Sequence, residues 1–267
     1  MNSALRDSLR GALDYAGLFP PVGLPMEQAI ANYAAYREGD HRDLLGSFVC
    51  PSNRLTELES LLPGKGEWPI AVVGVSELPR DFEAVLSFNV RMAGIGRIRS
   101  FTMPFDGVSP IPGGLKTMQG KGVRIYLEGP WSGEGMESVK YFGLQAQVRL
   151  GGAEQTAFPS AAVLAAWLRR DAELELPFRA AAGFQHPVRG VRFLNHEADS
   201  TTVRMHGFLN LAAATAAGRA GGPVEKLLES EDPGELLPWI GRPSLLLGMT
   251  ACSFEEPVAE LQDLRLI

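Results

Sequence analysis

The chain has 267 residues, 45% apolar and 21% charged, with a formal net charge of −6. That balance suits a soluble globular fold and argues against nucleic acid as a partner. No apolar run reaches membrane-spanning length, no signal-peptide core opens the chain, and two cysteines are too few for a disulfide scaffold, so a cytoplasmic protein is expected.

In chain order, the first strand candidate is LDYAGLF (13–19), followed by a helix over 26–38 on which Met26, Ile30 and Tyr33 share a face. Strand-like runs recur at 44–50, 69–75, 97–103, 122–128, 143–151, 177–183 and 244–251. Helical spacing marks 53–62, 79–93, 159–173 and 206–219, with Pro159-Ser160 as a start signal for the third of these. The 113–121 segment is a weaker helix because it holds glycines, and Glu255 and Glu256 open a last one. Eight alternating units predict a single-domain (β/α)₈ TIM-type barrel over residues 1–267. The alternative is an open α/β sheet, weakened as a nucleotide binder because no GxGxxG turn follows an early strand.

Strand side chains alternate, so each strand has one face toward the helices and one toward the barrel interior. On that reading Arg124, Tyr126 and Glu128, then Gln145, Gln147 and Arg149, then Arg179 and Ala181 face inward. Three consecutive strands thus form a polar wall where branched apolar side chains are usual. A closed internal network would explain it. So would a site for a small anion held by Arg149 and Arg179, since two arginines against Glu128 leave a positive charge over.

Gly151 and Gly152 end the sixth strand, where backbone N–H groups could approach an anion. Beyond the seventh strand runs a long connection, 183–205, with His186, Arg189, Arg192 and His196, and His206 opens the next helix. Histidine titrates near neutrality, which suits His186 for acid–base work and His206 for capping or ligand donation. His41 lies on a polar turn, and Cys50 and Cys252 carry no nucleophile signal unaided. The five lysines (65, 116, 121, 140 and 226) avoid strand interiors, which disfavours Schiff-base chemistry. HExxH, CxxC and Walker motifs are absent, so no cofactor is indicated and a divalent metal stays open.

The segments DYAGLFPP (14–21), RLGG (149–152), FRAAAGFQHPVR (178–189), HGFLN (206–210) and CSFEEP (252–257) resemble a family of bacterial hypothetical proteins without an established activity. The likeness spans most of the chain. The family's seventh-strand motif runs closer to K-x-T-A-G-L-H-H-P-L-R. Here Arg179 stands at the lysine, Ala181 at the threonine and Gln185 at the first histidine, while His186, Pro187 and Arg189 match. The resemblance implies an electrostatic role for Arg179, or an activity changed in this member.

The expected function is a lyase or isomerase acting on a small carboxylated or phosphorylated metabolite. Arg149, Arg179, Gly151, Gly152, Arg189, His206 and Tyr126 would bind it, and Glu128 and His186 would exchange protons. The alternative is a non-catalytic metabolite-binding or interaction protein on the same scaffold. Neither excludes a homo-oligomer.

Overall fold

The computed structural model describes residues 3–64, 66–152, 154–194 and 200–267. Lys65 and His196 lie outside the described residues. Eight parallel strands close into a ring: β1 (Leu13–Tyr15), β2 (Leu45–Pro51), β3 (Trp68–Val73), β4 (Gly96–Pro104), β5 (Arg124–Glu128), β6 (Gln145–Arg149), β7 (Phe178–Ala181) and, after an inserted hairpin, β10 (Leu246–Ala251). Pairing of β1 with both β2 and β10 leaves no edge, so the fold is a (β/α)₈ barrel and not an open sheet.

The hairpin consists of β8 (Gly190–Phe193) and β9 (Thr202–Met205), paired antiparallel within the segment read from sequence as an unstructured connection. Val191 and Phe193 are exposed, whereas Val203 and Met205 are buried, so each strand is half-covered. Strand β1 is also shorter than its sequence suggests. After Tyr15 the chain turns, with Phe19 N–H bonding the Ala16 carbonyl, and Pro20 and Pro21 cannot donate to a ladder.

The helices are α1 (Ser3–Ser8), α2 (Met26–Glu38), α3 (Leu55–Leu61), α4 (Leu78–Arg91), α5 (Gly114–Gly120), α6 (Met136–Tyr141), α7 (Ala161–Leu174), α8 (Phe208–Arg219), α9 (Val224–Glu229), α10 (Pro233–Leu236) and α11 (Glu255–Asp263). Met26, Ile30 and Tyr33 of α2 are buried together, as their spacing requires. Helix α7 begins where Pro159-Ser160 predicts, the Ser160 hydroxyl accepting from Val163 N–H. It ends on Glu175 in the left-handed region, φ 47°.

The main apolar core lies between barrel and helices. Phe48, Ile70, Phe101, Ile125, Leu127, Val148 and Phe178 all belong to it, alternate residues on their strands. The opposite face of the strands carries small and polar residues, which leaves the barrel open at its carboxyl end. Ala16, Val49 and Ala71 form a separate small cluster there, with Phe19 and Val73 against it.

Candidate active site at the carboxyl end of the barrel

A cavity of about 640 Å³ opens at the carboxyl ends of the strands, the face on which barrel enzymes work. Its two sides differ. Ala16, Phe19, Pro20, Pro21, Val49, Ala71 and Val73 give an apolar wall from β1 to β3. Thr102, Gln147, Arg149, Arg179 and Gln185 give a polar wall from β4 to just past β7, and Leu194 and Met205 reach in from the hairpin ends.

Alternation explains the polar wall. Gln147 is paired in register with Arg179, and Arg149 with Ala181, so the inward positions of β6 and β7 lie side by side. Gln147 Nε2 donates to Glu128 Oε2 at 2.6 Å and its Oε1 accepts from Thr102 Oγ1 at 3.2 Å. Arg149 Nε donates to Glu128 Oε1 at 3.0 Å. Each Glu128 oxygen thus accepts one hydrogen bond, and the carboxylate orients Arg149 rather than lining the cavity itself. The Arg149 side chain is 51% exposed, and among the described residues its two Nη groups have no partner.

Arg179 is placed differently. It is 6% exposed and forms a salt bridge with Asp14 of β1, over the intervening β10. Its Nη1 donates to Ser100 Oγ at 3.3 Å, and its guanidinium carbon lies 4.8 Å from the centre of the Tyr126 ring. Burial pulls the Arg179 guanidinium down to about 10, still well above neutrality, so it stays charged at neutral pH. Asp14 is held in turn by Ser47 N–H at 2.5 Å. A Cβ on Gly46 would fall 2.3 Å from Asp14 Oδ1, so only glycine leaves room for this carboxylate. The surplus positive charge inferred from two arginines and one carboxylate is thus absent, because Asp14 is the second carboxylate. Asp14 sits between Leu13 and Tyr15, both in the outer core, and that alternation was the signal that it points inward.

Tyr126 is 3% exposed beneath Arg179, and burial raises its phenol above the ordinary value. Gly151 serves backbone packing, since a Cβ there would lie 2.8 Å from Gly183 N and Cα. Gly152 lines the cavity. Arg189 and His206 meet each other outside the lining. His206 Nε2 donates to the Pro159 carbonyl at 2.8 Å, which leaves Nδ1 to accept from Arg189 Nη1 at 3.3 Å. Burial chiefly lowers the His206 pKa, consistent with a neutral ring tying the hairpin base to α7.

His186 also stands outside the lining, directly after the lining residue Gln185. Its Nδ1–H donates to Glu260 of α11 at 2.5 Å, and Nε2 is unpaired among the described residues. A carboxylate that fixes one ring nitrogen and frees the other is the arrangement of an acid–base histidine. Glu260 was missed from sequence, where a helix-borne glutamate reads as surface charge. Cys252 lines the cavity, accepts from Gln185 Nε2 at 3.1 Å, and has its thiol pushed up by burial. Cys50 lies in the outer core, its thiol raised to about 12.

No cluster of three His, Cys, Asp or Glu side chains suited to a metal occurs among the described residues. None of the described helices is long and apolar enough to cross a membrane. Comparison with protein-family models, with characterised proteins and with solved structures returned no match, in keeping with the resemblance to a family without an assigned activity.

Proposed function

We propose that this barrel is an enzyme of the lyase or isomerase type that takes a small organic anion with an apolar body into the cavity at its carboxyl end. The observation that carries the reading is the two-sided cavity, apolar along β1 to β3 and polar along β4 to β7, with the Arg149 fork unpaired on the polar side. A carboxylate or phosphate matches that fork with two parallel hydrogen bonds, while the ligand's carbon body covers Phe19, Pro20 and Val49. Glu128 is a positioning residue, because it holds Arg149 Nε and leaves the outer nitrogens turned to the ligand.

Chemistry on the bound anion draws on electrostatic stabilisation by Arg149 and Arg179. Proton exchange falls to His186, oriented by Glu260, once the segment bearing Gln185 and the hairpin settles over the ligand. A specific observation favours the second reading, a non-catalytic metabolite-binding protein. The ionisable side chains lining the cavity are Arg149, Arg179 and Cys252, with no imidazole or carboxylate among the described lining residues.

One experiment addresses both. Thermal shift against a panel of organic acids and phosphates should yield ligands that stabilise the wild type but not Arg149→Ala; at a hundred times Kd the gain is about 2.7 kcal/mol. Proton NMR of each hit incubated with protein then reports turnover. Turnover abolished by His186→Ala with binding retained supports the enzyme. Binding without turnover leaves the second reading, and stabilisation indifferent to Arg149 sinks the anion site.

A further inference from the structure

The two walls of the cavity face each other. In the ring order β1-β10-β7-β6-β5-β4-β3-β2, strand β2 stands directly opposite β6, and its neighbours β1 and β3 stand opposite β5 and β7. The apolar wall is therefore set across the interior from Gln147 and Arg149. Ala16, Val49 and Ala71 form it, with Phe19 and Val73 packed against them, and none of these side chains carries a hydrogen-bonding atom. Pro20 and Pro21, both exposed, carry the wall toward solvent without a backbone N–H.

Size points the same way. Barrel interiors are usually filled by branched side chains, and Ala16 and Ala71 stand where those would be. The space they leave is part of a cavity of about 640 Å³, which suits a drug-sized ligand better than a metabolite of a few carbons. Hydroxyl groups laid against this wall would give up water for no partner, whereas methylenes gain from the same move. Sugar phosphates are poor matches for that reason, and so are diacids, whose second carboxylate would land on the apolar side. On the facing wall the Arg149 side chain is 51% exposed, with both Nη groups unpaired among the described residues. One charged end and one hydrocarbon end on opposite strands make a site for a ligand with the same two ends.

We infer that the ligand is a monoanionic acid with an unsubstituted hydrocarbon tail of medium length, lying across the barrel with its head at Arg149 on β6 and its tail end against Ala71 on β3. This rests on the anion site proposed above and narrows its substrate from small metabolites in general to amphipathic acids. It makes Ala71 a specificity-determining residue, since the side chain there sets how far a tail can reach.

Titration calorimetry with straight-chain acids from butanoate to dodecanoate, kept below their micellar concentrations, tests this on the unmodified protein. Suberate, gluconate and glucose 6-phosphate serve as comparisons. Affinity should rise about 4-fold per methylene, then stop rising within the series once the tail meets the far wall. Octanoate should bind about 10-fold or more tightly than suberate, its dicarboxylate counterpart, and than either sugar derivative. Ala71→Leu should move the plateau to a shorter acid and leave butanoate affinity in place. Val73→Ala empties the same wall instead of filling it and should move the plateau to a longer acid. A plateau that neither folded variant moves places the tail elsewhere and overturns the inference. No gain with length, or a preference for suberate or the sugar anions, overturns it too, and the anion site stands if Arg149→Ala still abolishes that binding. A gain with length that Arg149→Ala leaves untouched sinks the anion site and the cross-barrel pose together, as does the absence of any acid binding to the folded wild type.

Discussion

At the scale of single residues, the two arginines of the polar wall do different work. Arg179 and Asp14 form a buried pair, and removing one partner of such a pair leaves an uncompensated charge. Asp14→Asn is expected to lower unfolding free energy by about 3–5 kcal/mol in urea titrations. Gly46→Ala should move stability in the same direction, since the new methyl would displace the Asp14 carboxylate. Arg149→Ala should stay within about 1 kcal/mol of wild type, because its ion pair is half exposed. Equal losses at Arg149 and Asp14 would mean that the wall is one structural network, leaving little room for a ligand fork.

At the scale of elements, local rules govern helices and alternation governs strands. The start of α7 is set by the Ser160 cap, and Ser160→Ala should cost about 1 kcal/mol of stability without touching ligand affinity. Chemical denaturation beside a binding isotherm would check both halves of that expectation. The polar wall was legible because Gln147, Arg149 and Arg179 follow a period of two along β6 and β7. Less legible was the hairpin of β8 and β9, whose pairing covers one face only and whose outer Val191 and Phe193 mimic a connection with scattered apolar residues. Its contribution of Leu194 and Met205 to the cavity has no local signal at all.

At the scale of the whole molecule, the pH dependence of stability reflects burial between α7 and its neighbours. Asp171 of α7 is fully buried with both carboxyl oxygens unpartnered, and burial pushes it from the ordinary 3.8 up to about 8, partly opposed by Arg219 and Lys140. The folded state then keeps this proton where the unfolded state loses it. Its contribution is fully present below pH 3.8 and is lost as pH rises toward 8, at up to about 1.4 kcal/mol per pH unit. His206, whose pKa is lowered, acts with the opposite sign, favouring the unfolded state as pH falls below 6.5. Asp171→Asn should flatten the decline between pH 3.8 and about 8 and leave the His206 contribution, so the difference between the two stability–pH curves isolates the carboxyl. An unchanged curve would mean that Asp171 ionises freely in the folded protein.

The sequence by itself determined the barrel, because eight alternating segments and the switch between periods of two and 3.6 are local properties. It also determined which side chains of β5, β6 and β7 share the interior, since alternation needs no knowledge of neighbours. What only the tertiary structure decided is who meets whom. Asp14 reaches Arg179 because β1 closes the ring between β2 and β10, and Glu260 reaches His186 because the last helix returns beside the loop after β7. Charge balance in a cavity depends on those long-range meetings. A strand pattern shows which way a charge points, and only the closed barrel supplies its partner.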